Sequence, residues 1–231
     1  ARRQRQMCIR DSPLGVDTEV FRPRPDRVAG RIVCVASADA PLKGVSYLLE
    51  AVAKLSAERE VELVLVSKLD PNGPSATMIE DLAIGDRVSV VSGLEDSEIA
   101  DLLASAEVAC VPSLYEGFSL PAVEAMSCGT PLVATRAGAI PEVVGTDEEA
   151  AILVPPRDSG RLAQAIGRLL DDAALRARLG DGGRRRAEEN YSWAAVAAKT
   201  AAHYETVLAK TGRTESGLAT AGQATEGTTE C

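Results

Sequence analysis

Residues 112–131 read PSLYEGFSLPAVEAMSCGTP, the densest run of potentially reactive groups in the chain. Gly117 lets a ligand come close to the backbone, because it has no side chain to hold it off. Pro121 suits a first helical turn, where the N–H it lacks would be unpaired in any case. The free N–H groups of about Gly117–Leu120, Phe118 and Ser119 included, then point out of a helix start and form an anion site with partial positive charge. Glu116 falls in the loop and Glu124 about one turn inside the helix, so both carboxylates can face one ligand. A carboxylate presents two acceptor oxygens, which suits the vicinal diol of a sugar or ribose. The spacing E-x7-E is weak evidence alone and occurs twice in the chain. Glu50–Glu58 lies on and just beyond an amphipathic helix and reads as a solvated face. Glu116–Glu124 differs by its GFSLP insert, its helix-start position and the Gly129-Thr130-Pro131 exit.

The elements that must position these groups alternate along the chain. Arg31–Ala36 is a continuous apolar run and Val61–Val66 a second buried strand, and Arg87–Val91, Glu107–Val111, Pro131–Ala134 and Ala151–Val154 read as further strands. Val45, Leu48, Leu49, Val52 and Leu55 share one helical face, a short helix fits 74–83, and Asp96 or Ser97 caps another. A helix over Ser119–Ser127 ends at Gly129. The C-terminal third is helical, with one helix behind Asp158 and a last one from Ser192 to about Ala209. This order predicts an α/β fold: a doubly wound parallel sheet, Rossmann-like, with right-handed crossovers. Ligands bind such sheets beyond the carboxyl ends of the strands. The loops at 37–44, 67–73, 92–95, 112–119 and 135–141 therefore surround the expected site.

Composition narrows the function. The chain has 231 residues, 45% hydrophobic and 26% charged, enough for a sizeable core. Its net charge of -9 leaves no broad basic surface for nucleic acid, and 3% aromatics argue against stacked-base recognition. No run of 18 apolar residues exists, so no transmembrane segment is expected. Cys8, Cys34, Cys110, Cys128 and Cys231 form no C-x-x-C pair, which reads as a reducing, cytoplasmic setting. His203 is the single histidine and reads as a surface or interdomain residue. Residues 1–12 carry a charge of +3 and no apolar stretch; they read as a non-native leader or a linker. The expected globular unit is 13–210, and 211–231 reads as a disordered tail.

With these residues in place, the chain resembles the family 4 group of retaining GT-B glycosyltransferases. The E-x7-E segment carries the likeness, and its flanks agree. Pro13-Leu14-Gly15-Val16-Asp17 is similar to the family's P-N-G-V-D, and Lys43-Gly44 to its K-G pair. Ala139-Ile140-Pro141-Glu142 is similar to its loop after the E-x7-E helix, and Ser192-Trp193 to its terminal F-S-W turn. The resemblance implies the second domain of a GT-B fold, with C-terminal helices, and an acceptor-binding first domain missing from this chain. It implies a UDP- or GDP-sugar donor, no cofactor and no metal; no Asp-x-Asp occurs. Glu116 would contact the donor sugar near the reacting centre, the Gly117–Leu120 backbone its hydroxyls and phosphate, and Glu124 the ribose. Lys43 would neutralise the diphosphate, since lysine is unfavourable at a helix start unless an anion is present. Gly93 and Leu94 fall where the nucleobase loop runs. One departure stands out: the family's arginine six residues before the lysine is Ser37 in this chain. Any membrane attachment would be peripheral and come from the missing domain.

Other readings fit less well. A dinucleotide enzyme needs G-x-G-x-x-G after a strand, whereas Gly180–Gly182 lies in a charged helical stretch with Arg185 at the last position. The G-x-x-x-x-G-K-[ST] of nucleotide triphosphatases is absent. A nucleotide-binding module without turnover is the main alternative, and a GT-B-like sugar-nucleotide epimerase the next.

Overall fold

The computed structural model describes residues 14–146 and 148–211. Pro13 and the expectations for 1–12 and 212–231 lie outside the described residues. The strands are β1 Val28–Val35, β2 Glu62–Val66, β3 Val88–Val91, β4 Ala106–Val111, β5 Leu132–Thr135 and β6 Ala151–Val154. Between them run α1 Val45–Ser56, α2 Pro74–Asp81, α3 Asp96–Ser105, α4 Leu120–Ser127 and α5 Ile140–Val144. Then come α6 Ser159–Asp171, α7 Ala173–Tyr191 and α8 Trp193–Thr211.

All pairings are parallel, in the order β3-β2-β1-β4-β5-β6. Strand order reverses between β1 and β4, and the helices that follow these two neighbours, α1 and α4, pack on opposite faces, opening a crevice. Burial on both faces follows from the side-chain alternation. In β1, Val33 enters a core shared with α3, α4, α5 and α7, while Ile32 and Cys34 enter one shared with α1 and α6. In β4, Ala109 and Val111 join the first core, and Val108 and Cys110 the second. This is why these strands read as unbroken apolar runs.

Two details differ from the sequence reading. Glu95, rather than Asp96 or Ser97, caps α3: its side chain takes the Glu98 N–H while Glu98 takes the Glu95 N–H at 2.8 Å. This reciprocal pair satisfies two donors where a single Asp or Ser would satisfy one. Residues 140–144, read as loop, form α5, a helix of five residues that is too short for a periodic signal. The Gly180-Asp181-Gly182-Gly183 run packs α7 tightly. A Cβ at Gly180 would meet the Gly129 carbonyl oxygen at 2.4 Å, and one at Gly182 the Glu149 carbonyl oxygen at 2.1 Å. Ser192 opens the last helix as expected, its hydroxyl accepting the Ala195 N–H at 3.2 Å. On α8, Trp193, Tyr204 and Leu208 are exposed, whereas Val196 is buried. Among the described residues, no helix is long and apolar enough to cross a membrane.

Candidate functional site at the switch point of the sheet

The crevice beyond β1 and β4 is built by two loops locked together. Residues Pro41–Lys43 form a single 3-10 turn, and Gly44 follows in the left-handed region at φ +64°. A Cβ at Gly44 would lie 2.1 Å from the Pro112 carbonyl oxygen, so only glycine lets the β1 loop sit under the β4 loop. The Leu114 N–H then donates to the Leu42 carbonyl at 2.7 Å. This docking brings Lys43 to Glu116, with Nζ 2.8 Å from Oε1. Lys43 is 34% exposed and Glu116 13% exposed, so the pair stands at the crevice wall, open on the lysine side.

Glu116 is held from three directions. The buried Ser113 hydroxyl donates to the same Oε1 at 2.8 Å. Thr135 at the end of β5 donates in turn to the Ser113 carbonyl. The Glu116 carbonyl accepts the Ala139 N–H at 2.8 Å, and Gly138 lies against it at φ +55°, where a Cβ would reach the carbonyl oxygen at 2.1 Å. The motif at 137–142 is therefore a clamp on Glu116. Ser113, Thr135 and Gly138 were not singled out from sequence; polar residues directly beyond β4 and β5 were the available signal.

Helix α4 starts behind this pair. Pro121 occupies its first turn and lines the crevice. The N–H groups of Gly117, Phe118, Ser119, Leu120 and Ala122 find no acceptor among the described residues. Nothing lies within 4 Å of a Cβ placed on Gly117, so the fold leaves that side of the loop open. Ser119 is 1% exposed, and its hydroxyl has no partner among the described residues. The Phe118 side chain turns away from this role: its ring packs edge-on against Tyr191 at 5.6 Å and anchors the loop. Leu120 is partly exposed.

Glu124 is set apart from Glu116 by its surroundings. It lies half-buried on α4, where burial first and the Asp96 carboxylate second push its pKa up to about 7. Asp96 opens α3 directly after the 92–95 loop, so Glu124 lies close enough to that end of the helix to feel its charge. Gly93 takes φ +72° in that loop and is exposed, and Leu94 is half-buried.

The open crevice measures about 500 Å³ and is lined by Ser37, Asp39, Lys43, Lys68 and Pro121 among others. Ser37 is exposed on its wall. A second cavity of about 400 Å³ lies on the other side of Gly117 and Phe118, against α5 and α8. His203 lines it beside Lys199 and Glu142, and its buried Nδ1 has no partner among the described residues. The sequence reading did not connect His203 to this loop.

Comparison with known proteins agrees with the geometry. Residues 29–172 match the model of the glycosyl transferases group 1 family. The chain is 63% identical over 198 residues to MMP alpha-(1->4)-mannosyltransferase of Mycolicibacterium hassiacum, covering 86% of this chain and 48% of that protein. Sucrose-phosphate synthase of Thermosynechococcus elongatus is 32% identical, with a TM-score of 0.73 over 86% of this chain and 52% of that one. The C-terminal domain of a group 1 family glycosyl transferase (LpcC) of Francisella tularensis shares the fold at 24% identity and a TM-score of 0.69. There the match covers 78% of this chain and all of that one. The chain spans about half the length of the curated relatives it matches. On the family match, which covers more than half of its residues, the chain belongs to the glycosyl transferases group 1 family.

Proposed function

We propose that this chain binds the nucleoside-diphosphate sugar of a retaining glycosyltransferase, and that a longer protein completes the acceptor side. The observation that carries the reading is the meeting of Lys43, Glu116 and the unpaired N-terminus of α4 at the crevice beyond β1 and β4. The difficult event in glycosyl transfer is departure of the diphosphate from the anomeric carbon. Charge that develops on the leaving phosphate is stabilised by Lys43 and by the oriented N–H groups at 117–122, which need no reorganisation as the bond breaks. Glu116, fixed by Ser113 and the 138–139 clamp, accepts hydrogen bonds from the sugar hydroxyls. Glu124 takes the ribose hydroxyls, with Gly93 and Leu94 beside the base. The arrangement works without a metal ion.

The 63% identical relative is a mannosyltransferase, which favours mannose as the sugar transferred. The nucleotide is UDP or GDP, and calorimetric titration of the chain with each decides between them. Lys43→Ala should weaken the preferred diphosphate by roughly 10–100-fold, the value of one or two charge-assisted hydrogen bonds. A folded parent that binds neither nucleotide would contradict the reading.

A further inference from the structure

The crevice carries two ammonium groups, and only one has a partner. Lys43 is paired to Glu116 at 2.8 Å. Lys68 lines the same crevice and is exposed, and no carboxylate among the described residues pairs with it. Asp39, the acidic group on this wall, is turned to the Ser75 N–H at 3.0 Å.

The backbone fixes where Lys68 stands. Strands β1 and β2 run in register to Val35 and Val66. The Ala36 N–H still donates to the Val66 carbonyl at 3.3 Å. One step on, the Ser67 hydroxyl accepts the Ala38 N–H at 2.8 Å and donates to the Lys68 carbonyl at 2.9 Å. Ser37 and Lys68 are thus level with each other, two residues beyond the last paired positions of adjacent strands. The short hydroxyl at 37 and the long cationic stem at 68 border one space.

The charge balance of the crevice asks for such a group. A diphosphate linkage carries two negative charges. The Lys43–Glu116 pair is neutral overall, and a helix N-terminus contributes only about half a positive charge. Asp39 lines the same crevice, so without Lys68 the charges of Lys43, Glu116 and Asp39 sum to -1 and only the helix start faces the diphosphate with positive charge.

We propose that Lys68 is a second cation for the diphosphate, reaching it from the end of β2 while Lys43 reaches it from the β1 loop. The proposal rests on the donor-site reading. Lysine suits the place as a compact charge on a flexible stem that can swing to the phosphate when it arrives.

Titration of the full chain with GDP, UDP and the phosphate-free nucleosides guanosine and uridine separates the outcomes. Lys68→Met should weaken the preferred diphosphate about tenfold, with its nucleoside unchanged, the size expected of one charge-assisted contact. Its melting temperature should stay that of the parent, because the side chain is exposed. Ser37→Arg in the Lys68→Met background should recover most of the loss, since it returns a cation at the same level of the sheet. A Lys68→Met variant that binds diphosphate within twofold of the parent would overturn the inference and leave the donor site standing. A loss that Ser37→Arg leaves unrepaired would overturn the shared position of 37 and 68. A folded parent that binds no diphosphate would remove the donor site and this inference together.

Discussion

Lys43 and Glu116 lie 73 positions apart in sequence and meet at 2.8 Å. Glu116 stood out by its place ahead of a glycine and a helix-opening proline, whereas Lys43 was picked out by the K-G pair that the resemblance implies. Their contact was not, because it depends on the docking of two loops that leave neighbouring strands. Glu124 adds a second tension at this scale. Burial and Asp96 raise its pKa to about 7. An acid with a higher pKa in the folded than in the unfolded chain contributes its stability below the unfolded value of 4.5, and that contribution fades as pH rises through about 7. Glu124→Gln should therefore melt higher than the parent at pH 8, by roughly 2–4 °C if about 1 kcal/mol is relieved. The gap should close near pH 5, and nucleotide binding should weaken. A pH series of thermal melts on both proteins reads the sign directly.

Among the elements, the alternation of strands and helices, and with it the position of the site loops, could be read from apolar runs alone. The runs of β1 and β4 were unbroken because these central strands are covered on both faces, whereas the edge strand β3 carries the exposed Ser89. Helix α5 was hidden by its five-residue length, and the tight seat of α7 by glycines whose neighbours are far away in sequence. Two glycines of the site separate scaffold from function. Gly44→Ala would place a Cβ in the left-handed region and against the Pro112 carbonyl at 2.1 Å. It should cost about 2 kcal/mol or more, lowering the melting temperature by roughly 4–8 °C, and it should displace Lys43. Gly117→Ala meets nothing within 4 Å in the protein. Its melting temperature should match the parent while nucleotide affinity falls, because the added methyl fills the space a ligand uses. Parallel melts and titrations of the two variants test this contrast.

At the scale of the molecule, topology and surface have separate consequences. Strand reversal between β1 and β4 creates the crevice whatever the loop sequences, and the loops then give it charge. Helix α8 presents Trp193 at 60% and Tyr204 at 68% exposure. Such a face should bind a hydrophobic dye and promote weak self-association. Tyr204→Glu should reduce both, as judged by dye fluorescence and sedimentation over a concentration series. The cavity near His203 is a second concave surface on the far side of Gly117, so a nucleotide has two places it could occupy. The most direct measurement is the mapping of backbone amide chemical shifts as GDP or UDP is added. A nucleotide held at the switch point should shift amides concentrated at Ser37–Lys43, Lys68 and Gly117–Ala122. Shifts confined to Glu142, Lys199 and His203, or none at saturating nucleotide, would contradict that placement.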